Sequence, residues 1–105
     1  MKSHIIERGQ GTCTVIMQGD LTATVVPELQ TTLKSELAQG AVEATFDLGK
    51  TRVVDSTGIG LLIACCNSLA RAAGEIHVVN VSSDLMQLFK SMRLVSRLNA
   101  QEARS

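Results

Sequence analysis

The sequence predicts a single α/β domain: a mixed β-sheet with an antiparallel hairpin at one edge and helices packed on it. Three observations predict it. The 105 residues suit one ordinary domain, no Pro/Gly/Ser-rich linker or repeat divides them, and the span 1–105 therefore reads as one unit. Hydrophobic residues make up 45% and charged residues 19%, a globular rather than a disordered balance. The apolar period also switches repeatedly between about 2 and about 3.6 residues, two strands first and then strand and helix in alternation. Right-handed crossovers make the inner strands of such a chain parallel.

Residues 4–8 and 12–18 read as extended segments around the turn Gly9-Gln10-Gly11. In the second, Cys13, Val15 and Met17 alternate with Thr12, Thr14 and Gln18, and Ile16 breaks the polar side. Gly19-Asp20 ends it. From Val26 to Ala38, Val26, Leu29, Leu33 and Leu37 fall on one helical face, with Glu28, Lys34 and Glu36 pointing away. Thr24 is the expected cap, Pro27 suits the first turn and Gly40 is the expected stop. Ala44–Leu48 reads as a buried strand, followed by a short loop and Val53-Val54. A second helix is expected from about Thr57 to Ala73, with Ile59, Leu62, Ile63, Cys66, Ala70 and Ala73 as its stripe and Gly74 at its end. Ile76, Val78 and Val79 mark another strand, and Ser83 caps a third helix with Leu85, Leu88, Phe89 and Met92 inward. The tail residues Leu94, Val95 and Leu98 pack back on the sheet or contribute to a dimer or partner surface.

Composition excludes several functions. Ten Lys+Arg balance ten Asp+Glu, and the only aromatics are Phe46 and Phe89, so neither a basic face nor a stacking platform for nucleic acid is expected. The apolar run near Ile59 to Cys66 stops at Asn67, far short of the roughly twenty residues that span a bilayer. The start, Met1 to Arg8, has no apolar core of a signal peptide. Cys13, Cys65 and Cys66 make no disulfide framework, and reduced thiols in a cytoplasm are expected. With no secretion signal, Asn80-Val81-Ser82 is not expected to be glycosylated.

The segment Val53-Val54-Asp55-Ser56-Thr57-Gly58-Ile59-Gly60 carries the chemistry. An apolar strand ends in an acid and two hydroxyls, and a long helix begins at once. Sites in open α/β sheets gather at strand C-termini, and a first helical turn offers free N–H groups to a phosphate. On local physics alone the segment reads equally as an ordinary Asp-Ser-Thr cap with Gly58 and Gly60 packing the helix. Other motifs fail. Ile63 stands where a dinucleotide fingerprint needs Gly or Ala, Ala44 stands where a P-loop needs its first Gly, and no Gly-x-Ser-x-Gly surrounds Ser56. His4 and His77 are expected at surface strand positions, and His77 with Cys65 or Cys66 lacks zinc spacing, so neither a metal nor another cofactor is expected. No residue set assembles an enzyme.

Val53 to Leu62 closely resembles the signature of STAS domains, specifically of bacterial anti-sigma factor antagonists: a hydrophobic pair, Asp-Ser-Ser/Thr-Gly-hydrophobic-Gly, and an apolar helix. Gly19-Asp20-Leu21 with Pro27-Glu28-Leu29 resembles the family's Gly-Glu-Leu-Asp segment and first helix. Phe46-Asp47-Leu48 and the stretch from Gly74 to Ser82 are similar to later parts of its pattern, so nearly the whole chain takes part. The resemblance implies a single STAS domain and a partner switch. The unphosphorylated antagonist binds an anti-sigma factor that is also a serine kinase with a histidine-kinase-like ATPase fold. The kinase phosphorylates the first serine of the signature, here Ser56, with Thr57 the weaker acceptor, and a PP2C-type phosphatase resets it.

On that resemblance the partner-binding residues are Asp20, Leu21, Thr22, Thr24, Asp55, Ser56, Thr57, Gly58, Ile59 and Gly60. Thr22 replaces the family's final acid, which leaves the acceptor intact and puts the partner's identity and affinity in question. A phosphate adds about −1.5 to −2 charges beside Asp55, with the helix start expected to help stabilise it. Three alternatives stand beside the switch: a constitutive STAS subunit of a lipid-transport ABC system, a partner switch with an output such as secretion or biofilm formation, and an enzyme with Ser56 as nucleophile.

Overall fold

The fold was analysed in a computed structural model, which describes residues 3–104. Met1 and Lys2, the first two residues of the start read above for a targeting signal, lie outside that range. The elements are β1 (His4–Gly9), β2 (Thr12–Met17), α1 (Val26–Ala38), β3 (Glu43–Asp47), α2 (Ser56–Arg71), β4 (Glu75–Val81), α3 (Ser83–Ser91) and β5 (Ala100–Glu102). They form one five-stranded sheet in the order β1-β2-β3-β4-β5. Only the β1–β2 hairpin is antiparallel, and the other pairings are parallel. The expected hairpin edge and parallel interior are both present.

The pleat explains the burial. Cys13, Val15 and Met17 of β2, Ala44 and Phe46 of β3, and Ile76 and Val78 of β4 are buried on one face with the apolar sides of the helices. Their neighbours Thr14, Ile16, Thr45, His77 and Val79 face the other way and stay half-exposed. Ile16, which breaks the polar pattern, stands opposite Ile5 on this open face. Leu94 and Leu98 are buried, and the tail continues into β5 beside β4, an element too short to show in the sequence.

Several local expectations are corrected. Thr24 does not cap α1; Val25 holds that position without a side-chain hydrogen bond. Glu36 does not point away: it is 4% exposed and takes two hydrogen bonds of 2.8 Å from Nε of Arg8 on β1. Leu37, expected inward, is only half-buried. On α2, which ends at Arg71, the buried stripe runs through Ile59, Leu61, Leu62, Cys65 and Leu69, with Leu61 and Cys65 lining a hollow shared with Leu33 and Leu37 of α1; Ile63 and Cys66 are half-buried, and Ala70 and, beyond the helix, Ala73 are exposed. At its end the left-handed residue is Ala73 (φ 57°), whereas Gly74 is needed because a Cβ there would overlap the Val42 carbonyl. Ser82, not Ser83, caps α3, its hydroxyl accepting from the Leu85 amide at 3.2 Å. Met86 is buried in place of Met92. His4 is 8% exposed rather than a surface residue, and Ser3 Oγ lies 2.8 Å from its Nδ1.

Candidate functional site

Two chain segments 32 residues apart are laced together at the C-terminal end of the sheet. Thr51 Oγ1 donates to the Gly19 carbonyl at 2.7 Å. The Asp20 carboxylate accepts from the Arg52 and Val53 amides at 3.0 and 3.1 Å. Leu21 and Val54 form a parallel bridge, with the Leu21 amide donating to the Val53 carbonyl and the Asp55 amide to the Leu21 carbonyl. This lacing sets the loop carrying Thr22 and Thr24 against the start of α2.

Asp55 completes it. One carboxylate oxygen accepts from the Gly58 amide at 2.8 Å, as an N-cap, and the other accepts from the Ala23 amide at 2.9 Å. The Gly58 and Ala23 amides, in that order, hold this carboxyl below the usual aspartate range, against an opposing push from desolvation. Asp55 is therefore an anion that staples the loop to the helix. Capping thus falls to Asp55, and Ser56 is left at the first helical position with its side chain exposed beside exposed Thr57. A hydroxyl so placed can receive a phosphoryl group without disturbing the core. The Gly58 amide is already taken, so the start of α2 has less to offer a phosphate than the sequence suggested.

The residues expected at a partner surface divide into three groups. Thr24, Ser56, Thr57 and Gly60 are exposed and Thr22 is half-buried, on the two segments that Asp55 ties together. Asp20 is exposed, with its carboxylate tied to the backbone, and Asp55 is half-buried and tied likewise. Leu21, Gly58 and Ile59 are buried, so they shape the surface from beneath instead of forming it. Sequence reasoning missed Val53, which is 51% exposed beside this surface while Val54 is buried. Strand alternation across Val53-Val54 was the signal that separates them.

The STAS domain family model matches residues 4–103. The anti-sigma-B factor antagonist of Staphylococcus aureus is 27% identical over 84 residues, which cover 80% of this chain and 78% of that protein. Among solved structures, the phosphorylated form of the Bacillus cell fate determinant SpoIIAA superposes with a TM-score of 0.78 at 20% identity, covering 97% of this chain and 92% of that one. A sulfate transporter family protein from Wolinella succinogenes superposes with a TM-score of 0.76 at 15% identity, over 91% of this chain and 80% of that one. Both structural likenesses concern the fold. Among the described residues, no helix is long and apolar enough to cross a membrane.

Proposed function

The chain belongs to the STAS domain family, and from that premise we propose that it is an anti-sigma factor antagonist working by partner switching, with Ser56 as the switch. Unphosphorylated, it binds an anti-sigma factor that is also a serine kinase with a histidine-kinase-like ATPase fold. Phosphorylation of Ser56 ends that binding, and a PP2C-type phosphatase restores it, all within the cytoplasm. The observation that carries this reading is the separation of roles at the start of α2. Asp55 does the capping, so the exposed Ser56 hydroxyl has no structural duty that would explain it.

The energetics follow from what a partner would meet. The surface around Ser56 offers the hydroxyls of Thr22, Thr24 and Thr57, the apolar Val53 and the open backbone at Gly60. A phosphate there brings about −1.5 to −2 charges and a bulky hydration shell. Asp20 and Asp55 already hold negative charge in the same laced segment, so a partner that tolerates the neutral hydroxyl meets a concentrated anion after transfer. Desolvating that anion costs binding energy, whereas the fold, with Ser56 outside the core, is unaffected.

The test is a capture experiment from lysate of the native host, using wild type, Ser56→Ala and Ser56→Asp as baits and mass spectrometry as readout. Wild type and Ser56→Ala should retain a serine kinase of the histidine-kinase-like class, and Ser56→Asp should lose it while keeping its far-UV circular dichroism. If all three baits retain the same partner, a transporter ATPase included, Ser56 is not a switch and the domain is a constitutive binding module.

A further inference from the structure

At the N-terminal ends of β3 and β4, on the open face of the sheet and apart from Ser56, two carboxylates and an imidazole converge. Parallel register sets Glu43 beside Glu75 and Thr45 beside His77. Alternation along the strands places Glu43, Glu75 and His77 on one face. His77 Nε2 lies 3.6 Å from a Glu75 carboxylate oxygen and 3.9 Å from a Glu43 carboxylate oxygen. One donor atom from each residue lies within 4.8 Å of the other two.

Two features separate this group from incidental surface charge. The separations are those of ion pairs and exceed hydrogen-bond length, so the three donor atoms cluster without hydrogen bonds locking them to one another. Ligands held about 2.1 Å from a tetrahedral ion stand about 3.4 Å apart, a spacing small side-chain rotations would reach from here. In addition, like charges directly opposite on a ladder repel. Among the described residues no Lys or Arg pairs with Glu43 or Glu75, and the cation facing them would be His77 itself when protonated. A divalent ion would turn that repulsion into coordination, with two carboxylates neutralising its charge.

We propose that Glu43, Glu75 and His77 form a binding site for a divalent transition-metal ion of the zinc class. The imidazole nitrogen favours zinc, cobalt, nickel or copper over magnesium and calcium, which prefer all-oxygen sets. Two adjacent paired strands fix the three Cα positions, and the exposed side leaves a coordination position to water. Cys13 is buried on the opposite face of the sheet, Cys65 is buried in α2, and Cys66, also on α2, turns its thiol to the Arg97 carbonyl at 3.4 Å, so thiolates do not complete the set.

The experiment is calorimetric titration of the reduced full chain with zinc and with cobalt, alongside visible absorption of the cobalt form. One equivalent should bind. His77→Ala and Glu43→Gln should each weaken it at least about tenfold, the loss expected even for removal of a ligand's supporting partner. Cys66→Ser should leave affinity unchanged, and the cobalt spectrum should lack thiolate charge-transfer bands. Glu75→Gln, at an exposed position, is a second ligand variant should either of the others unfold. Absence of saturable binding, or affinity indifferent to the ligand variants, overturns the proposal. Loss of binding in Cys66→Ser overturns it equally. Because Ser56 plays no part in these readouts, the result is independent of the partner switch.

Discussion

Replacing Gly58 by alanine tests the packing on which the surface around Ser56 depends. In a helix, alanine is favoured over glycine by about 0.5–1 kcal/mol, so propensity alone predicts stabilisation. The structure predicts the reverse. A Cβ at Gly58 would overlap the Leu21 carbonyl oxygen and lie 2.9 Å from Val54 Cγ1 and 3.0 Å from Leu21 Cγ. The carbonyl cannot yield cheaply, because it accepts from the Asp55 amide and belongs to the Leu21–Val54 bridge. Overpacking of this kind costs about 1–3 kcal/mol, leaving a net loss of about 1–2 kcal/mol after the propensity gain. Gly60, two residues on in the same helix, has nothing within 4 Å of its would-be Cβ, so Gly60→Ala should gain about 0.5–1 kcal/mol. The two variants should therefore differ by about 2 kcal/mol, or roughly 10 °C in Tm. Urea unfolding followed by circular dichroism measures both at a common slope. If Gly58→Ala proves as stable as Gly60→Ala, close approach of α2 to the Leu21 segment is not what the glycine provides.

Two further outcomes follow from titrating groups. Burial, with smaller contributions from Cys13 and Cys66, pushes the Cys65 thiol up to about 12, so at pH 8 its thiolate fraction is about a thousandfold below that of an ordinary thiol. Iodoacetamide should leave Cys65 unlabelled in the native protein and label it in urea, and rapid native labelling mapped to Cys65 by peptide mass would refute that burial. Hydrogen bonding to Arg8, and then its charge, holds the Glu36 carboxyl below the ordinary 4.5. A folded value lower than the unfolded one contributes stability that is complete above 4.5 and lost as pH falls through the folded value. Asp55 adds loss in the same acid window, its ordinary value being 3.8. Urea midpoints measured from about pH 6 to pH 3 should fall less steeply for Glu36→Gln than for wild type, and equal slopes would count against the pair.

What the sequence disclosed depended on whether the cause was local. The alternation in Cys13, Val15 and Met17, the left-handed Gly40 (φ 101°) after α1, and the acid before a long helix are local signals, and each marks its element correctly. Glu36 was read as outward because helical period alone assigns a charged residue to the solvent face. Its actual position depends on Arg8, 28 residues earlier, reaching across from the sheet edge. The adjacent serines before α3 offer equivalent hydroxyls, and only the extended backbone at Ser82 (ψ 158°) decides which one caps. At β5, three residues are too few to show a period, and the strand exists because β4 offers an edge to pair with. The Glu43/Glu75/His77 group was invisible for the same reason: Glu-x-His is unremarkable until parallel register sets another glutamate beside it.

Asp55 shows how one residue links these scales. Read locally it is a helix cap, and the bond from one carboxylate oxygen to the Gly58 amide fulfils that role. The other oxygen holds the Ala23 amide, 32 residues away, and so decides where Thr22 and Thr24 stand relative to Ser56. Both bonds favour the ionised carboxylate, which is why its affinity for protons is lowered. The consequence for the proposed switch is electrostatic. With the Gly58 amide occupied by Asp55, a phosphate on Ser56 gains little by folding inward onto the helix start, and the anion already there repels it. On the proposed switch its charge would therefore be directed outward, toward a partner bound at the Thr22–Thr24 loop and α2. In the proposed switch, the residue that fixes the shape of that surface would also keep the phosphate on it, so binding would change without a change of fold.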